Sequence, residues 1–129
     1  MIHGAVNLNR EAVLKLRVSK PGMSGREFEA VIDTGYDGYL SLPRTIISAL
    51  RLPWVRRGRA VLADGTEIDC EVYRAEIVWD GTQTPILVDE ADTDPLIGMN
   101  LLNGFELKVQ VRPRGKVTIK RLPSKKRKT

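Results

Sequence analysis

The chain has one cysteine, Cys70, and one histidine, His3. A lone cysteine excludes an internal disulfide and any cysteine-rich zinc site. A lone histidine at the N-terminal edge argues against a Ser-His-Asp or Cys-His hydrolase, whose imidazole must meet a nucleophile inside a supported cleft. No run of 18 apolar residues occurs, so the sequence offers no candidate membrane-spanning helix. The opening Met1 to Asn7 lacks a charged region followed by an apolar one. No secretory leader is therefore expected, and a cytoplasmic location is the expectation.

What is present fits one soluble globular domain. The 129 residues are 42% hydrophobic and 29% charged, enough to bury a core without disulfides or metal. The net charge of +5 is unevenly placed. Lys120, Arg121, Lys125, Lys126, Arg127 and Lys128 lie within the last ten residues, and the remainder carries fifteen basic and sixteen acidic groups. The basic character thus belongs to the tail. The expected division is a domain over residues 1–122 and a basic, disordered tail over 123–129. A basic body would suggest a nucleic-acid surface; a basic tail reads first as a solubilising segment, with nucleic-acid association as a weaker reading.

The hydrophobic pattern is mostly of period two, the mark of half-buried strands. Ala12 to Val18 alternates around Leu14, Leu16 and Val18. Phe28 to Ile32 is a short apolar strand that ends at Asp33, and Tyr39 to Leu42 resumes a strand after a polar loop. Pro43 opens a short helix over Arg44 to Leu50, which Pro53 stops. Arg59 to Leu62 and Glu67 to Val72 flank Ala63-Asp64-Gly65-Thr66, where Asp-Gly predicts a type I′ hairpin turn with positive φ at both positions. Apolar parity then slips from Cys70 and Val72 to Tyr73, Ala75, Ile77 and Trp79, which predicts a bulge or a change of buried face. Thr84 to Val88 is a further strand, Asp89 to Asp94 an acidic solvated loop, Met99 to Asn103 a short helix, and Phe105 to Val111 and Lys116 to Leu122 the last strands. The acidic loop lacks the spaced ligands and glycine of a calcium site. Trp54 and Trp79 read as core or pocket-lining residues, and Cys70 as a small core residue or inert thiol. The fold class is all-β, a small barrel or sandwich with two short helices.

The stretch that carries chemistry is Ala30-Val31-Ile32-Asp33-Thr34-Gly35. An apolar strand delivers a carboxylate into a tight turn, and Gly35 lets backbone amides approach it. The tripeptide alone is a weak signal, because an aspartate that caps its own turn looks the same. A second element follows at Leu96-Ile97-Gly98-Met99-Asn100-Leu101-Leu102, again an apolar pair, a glycine and a short helix.

Taken with Tyr36-Asp37 and the Ala63-Asp64-Gly65-Thr66 hairpin, these motifs resemble the single-lobe, retropepsin-like (clan AA) aspartic proteases over about Val13 to Val111. Tyr36-Asp37-Gly38 followed by Leu40-Ser41-Leu42-Pro43 resembles the prokaryotic branch more than the viral one. The resemblance implies a small closed barrel of the acid-protease type. It implies that Asp33 is the catalytic carboxylate, that Thr34 locks two active-site loops together through its hydroxyl, and that Gly35 presents its carbonyl to substrate. Gly98 and the helix after it would support the active-site loop from behind. Asp64 and Gly65 would form the tip of a flap over bound peptide. Asp37 matches a substrate-contacting position that in viral members pairs with an arginine just after the second glycine; here that residue is Met99.

The chemistry itself asks for two carboxylates, one to deprotonate water and one, protonated, to donate to the peptide carbonyl. Only one Asp-Thr-Gly is present, since Asp64-Gly65-Thr66 and Asp80-Gly81-Thr82 have the wrong order. The second Asp33 must come from another copy related by a twofold axis. The expectation is a homodimeric aspartic endopeptidase acting on extended peptides, with no metal or organic cofactor. The alternative is a non-catalytic dimerisation or peptide-binding module on the same fold.

Overall fold

The computed structural model describes residues 1–61 and 64–124. Among them the chain builds ten strands and two short helices. β1 (Ile2–Val6), β2 (Ala12–Ser19), β3 (Arg26–Ile32) and β4 (Leu40–Leu42) precede α1 (Arg44–Leu50). β5 (Trp54–Val61), β6 (Glu67–Trp79) and β7 (Thr82–Glu90) form a meander. β8 (Leu96–Ile97) leads into α2 (Met99–Leu102), and β9 (Phe105–Val109) and β10 (Lys116–Arg121) come last.

Six strands close a ring. β6 pairs with β7, β7 with β4, β4 with β8, β8 with β3 and β3 with β2. β2 then returns to β6 through Val18 opposite Ile77 and Ser19 opposite Glu76. The architecture is a closed six-stranded barrel with two short helices, as expected. β1, β10 and β9 extend the sheet outward from β2 in that order.

The barrel closes because each strand has one apolar face to bury. β2 turns Leu14, Leu16 and Val18 inward while Lys15 and Arg17 face water. β10 does the same with Val117 and Ile119. These side chains meet Leu40, Leu42, Ile77, Val88 and Ile97 in one core. The slip of parity in β6 is a change of buried face. Ala75, Ile77 and Trp79 join the barrel core, whereas Cys70 and Val72 are buried outside that cluster. The accompanying irregularity lies in the partner strand, between Trp54 and Arg56 of β5.

Several sequence expectations need correction. β1 has no counterpart in them, because Ile2 to Val6 is short and glycine-containing; its pairing with both β10 and β2 makes it a strand. The Asp64-Gly65 pair does not form a two-residue turn, since the innermost paired residues among those described are Val61 and Glu67. Gly65 takes a positive φ of 84°, and the Asp64 carboxylate accepts the Thr66 N–H at 2.9 Å. The hairpin with positive φ at both loop positions is Asp80-Gly81, between the paired Trp79 and Thr82. Strand β7 runs on through Asp89 and Glu90, so these two are not loop residues. Val111 lies beyond β9 and is exposed. Trp79 is a core residue, packed edge-on against Phe105 with ring centroids 5.8 Å apart, but Trp54 is exposed. Part of the Ala63–Thr66 turn and the basic run Lys125 to Lys128 lie outside the described residues.

Ile77 is 1% exposed at the seam where β6 meets β2. Replacing Ile77 by alanine is expected to cost about 2–5 kcal/mol of stability, read by urea denaturation. A loss below about 1 kcal/mol would mean that the seam is not part of the core.

Candidate active site

Asp33 is placed by the strand that ends at it. β8 inserts between β3 and β4, parallel to the first and antiparallel to the second, although only residues 33–39 join those two strands. The Asp33 N–H extends the β3–β8 ladder by donating to the Ile97 carbonyl at 2.9 Å. The chain must then turn sharply around the end of β8. Asp33 is half-buried, and its carboxylate accepts the Gly35 N–H at 2.9 Å. A Cβ on Gly35 would press on that carboxylate, so the amide reaches it because the residue is glycine.

The loop is held from behind. Gly98 is buried and donates to the Tyr39 carbonyl at 3.1 Å. A Cβ at Gly98 would collide with the Gly38 carbonyl oxygen and the Tyr36 ring. The one-turn helix α2 has no side-chain cap. Its first N–H groups are satisfied by the loop instead: Met99 donates to the Tyr36 carbonyl at 2.8 Å and Asn100 to the Gly38 carbonyl at 3.1 Å. Helix ends need such partners, and here the partners are the loop that carries Asp33.

The loop divides its residues between two sides. Asp33, Gly35 and Tyr36 line a cavity of about 190 Å³. Val61 and Ile68, from the two arms of the β5–β6 hairpin, line the same cavity. Asp64 and Gly65 sit exposed at the hairpin tip. Thr34 and Asp37 are exposed and line a separate hollow with Met99, Leu102, Phe105 and Leu107. Asp37 is thus not among the residues lining the Asp33 cavity.

Four further cavity residues escaped the sequence reading: Ser41, Cys70, Asp89 and Glu90. Cys70 is buried in the cavity wall rather than the barrel core, and its Sγ lies 3.9 Å from Asp89 Oδ1. Burial first, and the Asp89 charge second, push its thiol pKa up. Tyr36 donates to Asp89 Oδ2 at 2.5 Å, a short charge-assisted bond. Burial, then that bond, raise the phenol far above its ordinary value, so it stays protonated. The available signal was strand parity: Ile86 and Val88 are inward, and continuing the strand makes Asp89 the alternate-face residue.

The hairpin is pinned at its base. Trp54 Nε1 donates to Glu71 Oε2 at 2.5 Å, and Arg57 Nε lies 3.2 Å from Oε1.

No protein-family model matches the sequence, and a comparison with curated proteins gives no match. Among solved structures, EIAV protease complexed with the inhibitor HBY-793 is similar, with a TM-score of 0.53 and 16% identity. The likeness covers 74% of this chain and 88% of that one. At that identity the likeness is one of fold: the barrel is retropepsin-like.

Two outcomes test this geometry. Gly98→Ala is expected to lose about 1–3 kcal/mol of stability by thermal or urea unfolding, because backbone rather than a flexible side chain opposes the methyl. Stability equal to the parent would show that the loop is not braced there. At Glu71, the Trp54 bond first and Arg57 second lower the carboxyl pKa below its ordinary 4.5. A lowered folded pKa adds stability above the unfolded value, and that contribution is lost as pH falls through the folded value. Trp54 emission is therefore expected to change as acid is added below pH 4.5, and Glu71→Gln to abolish that step. A step that survives the substitution assigns it to another group.

Proposed function

We propose that the protein is an aspartic endopeptidase that works as a homodimer, with Asp33 of each copy activating one water. The observation that carries this reading is the placement of Asp33: a carboxylate braced by Gly35 and the Gly98 segment, lining a cavity that the β5–β6 hairpin also lines. The retropepsin-like barrel supports it. The Tyr36-Asp37-Gly38 signature, followed by Leu40-Ser41-Leu42-Pro43, supports a place in the prokaryotic branch of that group.

The mechanism follows from charge. Two carboxylates about 3 Å apart resist double ionisation and share one proton as a coupled pair. The ionised Asp33 takes a proton from water, and the oxygen attacks the peptide carbonyl carbon. The protonated Asp33 donates to the carbonyl oxygen. Collapse of the tetrahedral adduct breaks the C–N bond, and the leaving nitrogen takes the proton. Gly35 would offer its carbonyl to the substrate backbone. Substrate would lie extended beside the hairpin, as an added strand, and closure of Asp64 and Gly65 over it would exclude water. Thr34 and Asp37 are exposed on the other side of the loop, and in the proposed dimer the Thr34 hydroxyl would bond across the axis. Asp37 contacts substrate only if the dimer brings the partner's substrate-bearing face to it.

Asp33→Asn is expected to reduce cleavage of a general peptide library at least ~10³-fold, and a pepstatin-like inhibitor to block the parent. Because each site needs two copies, specific activity is expected to fall on dilution, in step with the dimer fraction seen by analytical ultracentrifugation. Cleavage by the variant at the parental rate sinks the mechanism. Dimers that bind peptides without cleaving them would favour the binding module.

A further inference from the structure

The cavity beside Asp33 carries an unbalanced charge and an unpartnered polar group. Asp33, Asp89 and Glu90 line it, and among the described residues no lysine or arginine does. Arg56 acts on Cys70 electrostatically, and Arg44 on Tyr73, without lining the cavity. Asp89 has one oxygen bonded by the Tyr36 hydroxyl, and its other oxygen faces only the weak thiol donor of Cys70. Glu90 accepts a 3.3 Å bond from the Tyr73 hydroxyl. Neither contact supplies a positive charge.

Ser41 adds an independent sign. It is 3% exposed, and its Oγ has no hydrogen-bond partner among the described residues. Its neighbours Leu40 and Leu42 point into the barrel core, so the alternation of β4 turns Ser41 to the other side, onto the cavity it lines. A buried hydroxyl without a partner is costly, and a ligand group that reaches it removes that cost. Val61, Ile68, Ala91 and Leu96 make the rest of the wall largely apolar, with Thr93 beside them. The volume of about 190 Å³ equals roughly six waters at liquid density, the scale of one long side chain.

We propose that this cavity is a subsite for a basic side chain, arginine or lysine, of a peptide bound next to Asp33, with the apolar walls taking its methylene stem and Asp89, Glu90 and Ser41 its cationic head. The ligand's identity as a peptide rests on the peptidase reading. A long aliphatic stem with a charged end matches a cavity lined by both apolar side chains and carboxylates. Arginine suits it best, because a guanidinium can bond two carboxylate oxygens and a hydroxyl at once.

The test uses the full chain with Asp33→Asn, so that bound peptide stays intact. Fluorescent peptides carry arginine, its neutral isostere citrulline, or norleucine, walked through successive positions. At one position the arginine peptide is expected to bind about tenfold more tightly than the citrulline one by anisotropy. Adding Asp89→Asn is expected to bring the two within about threefold; asparagine keeps an acceptor for Tyr36, and Glu90→Gln serves as a second variant. Equal binding of arginine and citrulline peptides at every position overturns the subsite. So does a ratio unchanged in both variants, or no binding at all. Cleavage by the parent chain is scored separately. Cleavage without preference for arginine removes the subsite and leaves the peptidase, whereas an arginine preference without any cleavage leaves the subsite and removes the peptidase.

Discussion

The backbone of Gly98 lies against the Gly38 carbonyl and the Tyr36 ring, and that contact determines where Asp33 can be. β3 and β4 are consecutive strands, yet β8 occupies the place between them. The loop joining them must therefore pass around the end of β8. It can do so tightly only if the residue at that end has no side chain. The N–H groups that α2 would otherwise leave open are bonded to the same loop, so helix, glycine and loop stand or fall together. Asp33 is positioned this way by backbone on both sides, and its own carboxylate adds the bond it accepts from the Gly35 N–H.

For the proposed peptidase, a single copy of that arrangement would be chemically incomplete. One carboxylate can act as base or as acid, but the reaction needs both roles within one water's reach. A twofold axis would meet that need with the fewest new parts, because a second copy would bring the same braced loop in the same geometry. The loop itself has the right division for this. Asp33, Gly35 and Tyr36 face the cavity under the hairpin, while Thr34 and Asp37 face the hollow beside Met99 and Phe105. In the proposed dimer, residues alternating between two sides would let one short loop address a substrate and a partner without either blocking the other.

How far these features can be read from sequence depends on whether their causes are local. The barrel strands were legible where alternation is clean, as in β2 and β10, and the Asp33 loop because its motif is a contiguous apolar strand, carboxylate and glycine. Gly98 was legible as a motif, although the collision that requires a glycine there is with residues sixty positions away. β1 was not legible, since its pairing with β10 supplies what its own composition lacks. Asp89 and Glu90 were read as loop because charge there outweighed parity, and only the barrel shows that β7 continues through them. The two Asp-Gly pairs show the same limit. Both promise the same turn, but only Asp80-Gly81 joins strands paired directly across a two-residue loop; Asp64 satisfies its turn through its side chain.

The unread residues have something in common that bears on function. Ser41, Cys70, Asp89 and Glu90 come from three strands, β4, β6 and β7, which meet because β7 pairs with both of the others. The reacting group sits in a short motif, while the residues that would choose a substrate are scattered and individually ordinary. That separation has a physical basis. The carboxylate must be held to a few tenths of an ångström, which a contiguous backbone motif does well. Selectivity needs only charge and volume on a rigid wall, and any strand position facing the cavity can supply those. Changes at Asp89 or Ser41 can therefore alter what the cavity accepts while the Asp33–Gly98 brace, and with it the capacity for chemistry, stays as it is.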